Sequence, residues 1–354
     1  MQFVIVGAGA IGGSAGAYLM QDGHEVILVD SAMDHIRAMR TDGLAIEGRL
    51  SFTVRPTAVT PDGLADALRG RTPEVVILAV KAQHTEQALA PLVPLLGPAS
   101  FVLSMQNGLN PRFVAQLVGT DRTIAAFVNS MGTDYLSPGR IMYGGPGTMY
   151  IGELDGRLTL RVERLAQVFQ ASFVATARAT SNIWGYLWGK ESFGAMLFAG
   201  ATVDDTIANL LGDRANRSLI ANIAAEVVRV ADAEGVQCEA FDGFDPNVIR
   251  FARPRDWTAI GRSLANLESV YRRSLKPKSG IWRDLAVRHR PTEVDAQLGI
   301  AAELGRQHGL AVPLLDRVIA MIHEIERRRR PMQPQNLEEL RAYDRVVYSD
   351  VASD

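Results

Sequence analysis

Cysteine is almost absent from this chain of 354 residues, which has only Cys238. A single cysteine excludes an intrachain disulfide, a thiolate zinc cluster and an iron–sulfur site, and it suits a reducing compartment. The six histidines show no H-E-x-x-H or similar spacing, so we expect no metal site.

Long apolar segments and excess charge are also missing. No uninterrupted apolar run approaches the roughly 18 residues that a membrane-spanning helix needs. The first residues already read as a strand, which leaves no room for a signal peptide. The formal net charge of −2 gives no general attraction to nucleic acid or to anionic membranes. We therefore expect a cytoplasmic protein that binds neither.

The composition is that of an ordinary globular protein. Hydrophobic residues make up 47% of the chain and charged residues 21%, so there is material for buried cores and no sign of disorder. The length exceeds one ordinary domain, and two domains are expected.

The first thirty residues carry the clearest pattern. A short apolar strand at 2–6 runs directly into Gly7-Ala8-Gly9-Ala10-Ile11-Gly12, and a helix and a second strand follow. In this context one glycine makes the tight turn, one lets the backbone approach a pyrophosphate, and one lets the helix pack on the strand. The pattern predicts a Rossmann domain that binds a dinucleotide.

Asp30, at the end of the second strand, bears on the choice of cofactor. A carboxylate at this place accepts a hydrogen bond from a free 2′-hydroxyl and repels a 2′-phosphate, which favours NAD(H) over NADP(H). Ser31, Arg37 or Arg40 could still accommodate a phosphate, so the alternative stays open.

The chain to about residue 180 predicts a mostly parallel, doubly wound sheet. Strands are predicted at 2–6, 25–29, 74–80, 100–104, 123–128, 140–143 and 149–151, with a small hairpin-like segment over 43–56. Helices are predicted at 11–22, 84–96, 158–169 and 31–41, the last with Ser31 as N-cap. Ligands bind at the carboxyl ends of such strands. Gly7 to Gly12, Asp30, Lys81 and Asn107 are therefore expected to face one crevice.

From residue 182 the chain shows helical spacing almost to its end. We place the domain boundary near Thr180. This gives a Rossmann domain at 1–180, an all-helical substrate and dimerisation domain at 181–330, and a tail at 331–354. The apolar residues of the tail could pack on its own chain or on a partner subunit.

Lys190 and Glu293 are the candidate residues for chemistry. Hydride delivered to a carbonyl carbon leaves an oxyanion, which needs a positioned proton donor. Lys190 lies in an aromatic and apolar stretch, where it either extends to the surface or sits in a pocket that lowers its pKa. Glu293 lies beside arginines and could equally be a solvated residue of a helix start.

Together these features resemble the ketopantoate reductase (2-dehydropantoate 2-reductase) family. Its members have a 6-phosphogluconate-dehydrogenase-like fold, with an N-terminal Rossmann domain and a C-terminal helical domain. The resemblance covers nearly the full length. It rests on Gly7 to Gly12, Val80-Lys81, Gln106-Asn107-Gly108, Ile151-Gly152-Glu153, Trp188-Gly189-Lys190, Asp284, and Arg290-Pro291-Thr292-Glu293-Val294-Asp295.

The resemblance implies specific roles. Lys190 would be the general acid, and Glu293 would bind near the nicotinamide ribose and fix the active geometry. Lys81 would lie beside the cofactor, and Asn107 would contact both the nicotinamide ribose and the substrate. The family generally uses NADPH, and a homodimer is an expectation from resemblance only.

Two departures from the family pattern affect the substrate site. The family usually has Asn four residues after the lysine, where this chain has Gly194, and Ser four residues before the matched Asp284, where it has Gly280 beside Ser279. The spacing from Asp284 to Glu293 is also one residue longer. Each lost hydrogen bond to a charged substrate costs on the order of 1.5 to 3 kcal/mol. Glycine also enlarges the pocket, so the substrate could be a different, bulkier 2-oxo acid or ketone.

Three hypotheses follow. The first is a nicotinamide-dependent reductase of a small 2-oxo acid, by family ketopantoate. The second is an NAD-dependent dehydrogenase of a bulkier hydroxy acid or secondary alcohol, which Asp30 and the altered pocket favour. The third is a non-catalytic NAD-binding regulator, which has no need of the proton donor that Lys190 would provide.

Overall fold

The computed structural model describes residues 1–252 and 254–349 of the chain. Two compact units make up the fold, Met1–Ile183 and Trp184–Asp354, and the boundary between them falls a few residues beyond Thr180. Among the described helices, none is long and apolar enough to cross a membrane.

The first unit alternates strands and helices. Its strands are β1 (Gln2–Val6), β2 (Glu25–Val29), β3 (Leu44–Gly48), β4 (Phe52–Val54), β5 (Thr57–Val59), β6 (Val75–Leu78), β7 (Phe101–Ser104), β8 (Thr123–Asn129), β9 (Asp134–Ser137), β10 (Arg140–Tyr143), β11 (Thr148–Glu153) and β12 (Thr176–Ala179). Its α-helices are α1 (Ala10–Gln21), α2 (Met33–Thr41), α3 (Leu64–Leu68), α4 (Thr85–Leu89), α5 (Pro111–Val118) and α6 (Leu160–Ser172).

The main sheet of this unit is doubly wound. Its strand order is β5-β2-β1-β6-β7-β8-β11-β12, and neighbouring strands are parallel except for the antiparallel pair of β8 and β11. A smaller sheet has the order β4-β3-β10-β9. The predicted mostly parallel Rossmann sheet is therefore confirmed.

The central strand β1 is apolar on both faces because two cores meet at the sheet. Phe3 and Ile5 belong to a core that includes residues of α1 and α6. Val4 and Val6 belong to a second core, with residues of α3 and α5. Because successive side chains of a strand point to opposite faces, a continuous apolar run is what a doubly covered strand requires.

Some local predictions were wrong. The sequence predicts one helix over 84–96, but α4 ends at Leu89 and a 3-10 segment, Ala90–Leu95, follows it. Pro91 and Pro94 account for the break, because proline lacks the N–H that an α-helix needs. The strands β5, β9 and β12 were not predicted.

The predicted N-cap of α2 was also wrong. Ala32, not Ser31, occupies the N-cap position, and it makes no side-chain cap hydrogen bond. The side chain of Asp30 accepts a hydrogen bond from the N–H of Ala32 (2.9 Å). This carboxylate just before the helix is favourably placed at its positive end.

The second unit is helical in the part of the chain that the structure describes. Its α-helices are α7 (Ile183–Gly200), α8 (Ile207–Gly212), α9 (Arg217–Ala233), α10 (Trp257–Arg272), α11 (Gly280–Ala286), α12 (Ile300–Gln307), α13 (Pro313–Glu326) and α14 (Pro334–Val347). A π-helical turn, Asp295–Gly299, leads into α12. Helix α9 is buried along most of its length and contacts α12, α13 and α14.

The C-terminal segment packs on its own chain through α14. Leu340 is completely buried, and Leu337 is nearly so. The Nδ2 of Asn222 in α9 donates a hydrogen bond to Asp344 (2.6 Å). Of the two alternatives that the sequence left open for this segment, the structure supports packing within the chain.

We expect Leu340→Ala to lower the free energy of unfolding by about 2–5 kcal/mol, because it removes buried methyl groups and leaves a cavity. Val346, in the same helix, is 77% exposed, and Val346→Ala should change that free energy by about 0.5 kcal/mol or less. Urea unfolding of both variants makes the comparison. Equal, small effects would show that α14 contributes little to the stability of the unit.

Candidate functional site

Three glycines of the loop between β1 and α1 have different surroundings. Gly7 has a φ of +94°, and a Cβ there would come within 2.7 Å of Val80 N. A Cβ on Gly12 would lie 2.1 Å from Gly7 O. Both positions are therefore restricted to glycine by the protein itself. A Cβ on Gly9 would meet no atom within 4 Å, so the loop is open at that position.

The start of α1 has unused hydrogen-bonding capacity. Gly9 is the N-cap residue and offers no side-chain cap, and the first turn, from Ala10 and Ile11 onward, contains no acidic residue. The first backbone N–H groups of a helix need partners from outside the helix and carry its positive dipole end. This arrangement suits an anionic group such as a phosphate.

Two polar side chains, the half-buried Asp30 and the buried His35, hold Ala8 in this loop from both sides. Its N–H donates to Asp30 Oδ2 (2.8 Å), and its carbonyl oxygen lies 2.9 Å from Nε2 of His35. The N–H of Gly139 donates to Nδ1 of His35 (2.9 Å), so Nε2 carries the proton and donates to Ala8. His35 was not predicted from the sequence, because it carries no recognisable motif.

Gln106 fixes the strand ends that carry Lys81 and Asn107. Its Nε2 donates to Val80 O (3.0 Å) and to Thr85 Oγ1 (2.9 Å). This buried amide therefore joins the end of β7 to the segment that follows β6. Lys81 is half-buried and Asn107 is exposed, so both side chains have access to solvent.

The topology brings the predicted cofactor residues of this unit to one edge. The strands β2, β1, β6 and β7 are neighbours and run parallel. Gly7 to Gly12, Asp30, Lys81 and Asn107 follow their carboxyl ends, where ligands bind in folds of this kind.

In the second unit, Lys190 lies in the middle of α7, an otherwise mostly apolar helix. Burial lowers the pKa of Lys190 to about 8, while the negative charges of Glu191, Glu293 and Asp242 partly offset that effect. The balance leaves a lysine that can exchange a proton near neutral pH.

The segment that carries Asp242 lies directly against α7. The N–H of Glu239 donates to Gly185 O (3.0 Å), and a Cβ on Gly189 would come within 2.7 Å of Glu239 O. A side chain at 189 would therefore displace this segment. The tight turn that follows, with reciprocal hydrogen bonds between Phe241 and Phe244 (2.9 and 2.8 Å), sets the position of Asp242.

Glu191 is a second titratable group of α7, and it was not predicted as a site residue from the sequence. It is 2% exposed, and burial raises its pKa to about 8. Its Oε1 has no hydrogen-bond partner among the described residues. A carboxyl group next to Lys190 in an apolar helix was the available sequence signal.

The surroundings of Glu293 are fixed by α13. Thr292 donates from its N–H and its hydroxyl to Glu326 Oε1, both at 2.7 Å. His323 lies 2.9 Å from Asp295, so the residues on both sides of Glu293 are held by one helix. Glu293 and Lys190 interact electrostatically, and the structure thus brings these two predicted residues together.

The two positions that depart from the family pattern have open surroundings. A Cβ on Gly280 would meet no atom within 4 Å, and a Cβ on Gly194 would lie 3.6 Å from Gln297 Oε1. The neighbouring hydroxyl of Ser279 accepts a hydrogen bond from Trp282 N (3.0 Å) and caps α11. Asp284 is buried and pairs with Arg290 (2.9 Å), which holds the turn ahead of Glu293.

Glu191→Gln should lower the pKa of Lys190 below about 8, because it removes a negative charge that favours the ammonium form. Carbon-13 NMR titration of reductively methylated protein measures this pKa, and Lys190→Arg assigns the resonance. Glu303→Gln is the matched control, since Glu303 is a surface carboxylate paired with Arg306 (3.1 Å). A wild-type Lys190 that titrates near about 10.4, the ordinary value for lysine, would contradict this description of the site.

Two family models match most of the chain. "Ketopantoate reductase PanE/ApbA" matches residues 3–156, and "Ketopantoate reductase PanE/ApbA C terminal" matches residues 182–326. Among curated proteins, the chain is similar to the 2-dehydropantoate 2-reductases of Mesorhizobium japonicum and Halobacterium salinarum. Each is 27% identical and matches over 92% of this chain, and the match covers 98% and 99% of the respective relatives.

Solved structures with the same fold carry two different activities in their names. A ketopantoate reductase from Ralstonia eutropha has a TM-score of 0.75 at 25% identity, and the match covers 93% of this chain and 99% of that one. D-mandelate dehydrogenase with NADH and anilino(oxo)acetate has a TM-score of 0.78 at 22% identity with the same coverage. The second likeness concerns the fold alone.

Proposed function

The chain belongs to the ketopantoate reductase family of NAD(P)-dependent oxidoreductases, and we propose that it reduces a 2-oxo acid to the 2-hydroxy acid with Lys190 as general acid. The observation that carries the proposal is the half-buried Lys190, which interacts electrostatically with Glu293 and has its pKa lowered to about 8. A non-catalytic NAD-binding regulator has no use for such a group.

The first unit fits a nicotinamide dinucleotide. The loop is open at Gly9, where a Cβ would meet no atom within 4 Å, and the start of α1 has no side-chain cap. A pyrophosphate there would receive backbone N–H groups and face the positive end of the helix dipole. Lys81 and Asn107 would contact the nicotinamide half. When bound, the reduced nicotinamide supplies the hydride.

Lys190 supplies the proton in this proposal. As the carbonyl carbon gains the hydride, the C=O π bond breaks, and Nζ of Lys190 donates a proton to the oxygen. The neutral lysine then takes a proton from water. Glu293 interacts electrostatically with the ammonium group, and by the family resemblance it would bind near the nicotinamide ribose. Burial raises the pKa of Glu191 to about 8, so Glu191 is mostly uncharged at neutral pH. As it ionises near that pH, its negative charge favours the protonated form of Lys190.

Asp30 supports NAD(H) as the preferred cofactor. Its two oxygens accept hydrogen bonds from the N–H groups of Ala8 and Ala32, and each keeps a lone pair for a ribose hydroxyl. The negative charge would repel a 2′-phosphate. Arg40 donates its Nε to Ala58 O (2.7 Å), which leaves the exposed Arg37 as the freer of the two candidate phosphate-binding arginines.

Ketopantoate is the first substrate to test, because the curated relatives are named for it. A second candidate is a bulkier 2-oxo acid, or the reverse oxidation of its 2-hydroxy acid with NAD. The empty space at Gly280, where a Cβ would meet no atom within 4 Å, favours this candidate. The D-mandelate dehydrogenase that shares this fold holds NADH and anilino(oxo)acetate.

Lys190→Ala should lower kcat for 2-oxo acid reduction by about 10²–10⁴-fold, because the alkoxide loses its proton donor. The Kd for NADH, measured by fluorescence, should change little. In the wild type, kcat/KM for reduction should fall as the pH rises through about 8, the pKa of Lys190, because only the protonated lysine donates. The oxidation reaction should show the opposite trend.

Lys278→Ala is the control for this substitution, since Lys278 pairs with Asp204 at the surface. Turnover that survives in Lys190→Ala, or a rate of reduction that stays level well above pH 8, would contradict the assignment of Lys190.

Asp30→Asn should reduce the preference for NADH over NADPH by about tenfold or more, which corresponds to roughly 1.4 kcal/mol of relieved repulsion. The amide keeps an acceptor for the N–H of Ala8 or Ala32 and therefore preserves much of the loop. The ratio of kcat/KM for the two cofactors is the measurement. An unchanged ratio would show that another residue selects the cofactor.

A further inference from the structure

Helix α7 lacks a side chain at a position where the family pattern has a hydrogen-bonding one. Residue 194 follows Lys190 by one helical turn and lies on the same face, but here it is glycine. The atom nearest to a Cβ placed on Gly194 is Oε1 of Gln297, at 3.6 Å. That distance is ordinary van der Waals contact, so the Gln297 carboxamide reaches the place where the side chain of residue 194 would begin.

The backbone of Gln297 is joined to a residue of the proposed site. Its N–H donates to Glu293 O (2.9 Å), so its position depends directly on the segment that carries Glu293. The π-helical turn Asp295–Gly299 contains Gln297 and is closed by the hydrogen bond from Gly299 N to Val294 O (2.9 Å). Single π-helical turns of this kind occur frequently at functional sites.

The carboxamide of Gln297 is a second observation beside Gly194. Gln297 is only 7% exposed, and among the described residues no protein group is recorded as a hydrogen-bond partner of its carboxamide. Its Oε1 faces the position of residue 194. The carboxamide is therefore available to a ligand that occupies this place.

We propose that the Gln297 carboxamide makes the substrate hydrogen bond that residue 194 cannot make, and that it acts as a specificity-determining residue. This inference rests on the proposed 2-oxo acid reduction. A half turn about the last side-chain bond presents Nε2 in place of Oε1, and this group donates to the carboxylate or the 2-oxo oxygen of the substrate. The amide comes from the π-helical turn and not from α7, so it approaches the position of residue 194 from a neighbouring segment.

Gln297→Leu tests the proposal, since leucine keeps much of the side-chain volume and cannot donate. With ketopantoate and with phenylpyruvate, KM for the acid that the wild type accepts should rise about 10–100-fold. The Kd for NADH and the pH at which the rate falls should stay unchanged. Gln307→Leu is the matched control, because Gln307 is an exposed glutamine of α12 that donates to Glu303 (3.3 Å).

Two further variants keep the test independent of folding. Gln297→Glu has nearly the shape of the wild-type residue, and its charge should raise KM for the anionic acid at least as much as leucine does. The double variant Gly194→Asn with Gln297→Ala returns an amide to α7, and it should recover most of the lost affinity for ketopantoate while phenylpyruvate remains poorly bound.

The outcomes separate the two proposals. The role of Gln297 would be overturned if the wild type turns over either acid and the folded Gln297→Leu and Gln297→Glu variants have an unchanged KM for it. The proposed function would then remain intact. A wild-type protein that oxidises neither NADH nor NADPH with any of a series of 2-oxo acids would overturn the proposed function, and this inference with it.

Discussion

The proposed chemistry of the second unit depends on the desolvation of one ammonium group, that of Lys190. Helix α7 is apolar along most of its length, and burial lowers the pKa of Lys190 to about 8. Without nearby carboxylates, the same burial would lower the pKa further and leave the lysine neutral under physiological conditions. Glu191, Glu293 and Asp242 oppose that effect from three different segments. The packing that positions these segments therefore also sets the acidity of the proposed proton donor.

The requirement on the first unit is different, because backbone groups must be held in place there for an anionic ligand. The loop at Gly9 offers backbone N–H groups rather than side chains, so ligand binding there would depend on the conformation of the loop. Asp30 and His35 hold Ala8 by both its N–H and its carbonyl oxygen, and Gln106 connects two strand ends. In the proposed cofactor site, Asp30 has two tasks, since it fixes the loop and selects the cofactor. Substitutions there must be interpreted with both tasks in mind.

The sequence allowed prediction where a pattern is local. The glycine loop, β1 and β2 follow from spacing and strand propensity, and the doubly wound fold was confirmed. Elements that depend on distant contacts were missed. The short strands β5, β9 and β12 all form at the edges of the two sheets, where pairing rather than hydrophobic pattern decides. His35 and Gln297 could not be selected, because what marks them is the place of their side chains beside Ala8 and Gly194. Lys190 and Glu293 remain predicted catalytic residues, supported by their mutual electrostatic interaction.

The most direct measurement is the initial rate of NADH and NADPH oxidation by the purified protein, with ketopantoate and with a series of bulkier 2-oxo acids. The account predicts that at least one 2-oxo acid is reduced, faster with NADH than with NADPH. It also predicts measurable rates with bulkier acids, which side chains at residues 194 and 280 would exclude from the pocket. No oxidation of either cofactor with any 2-oxo acid would contradict the account.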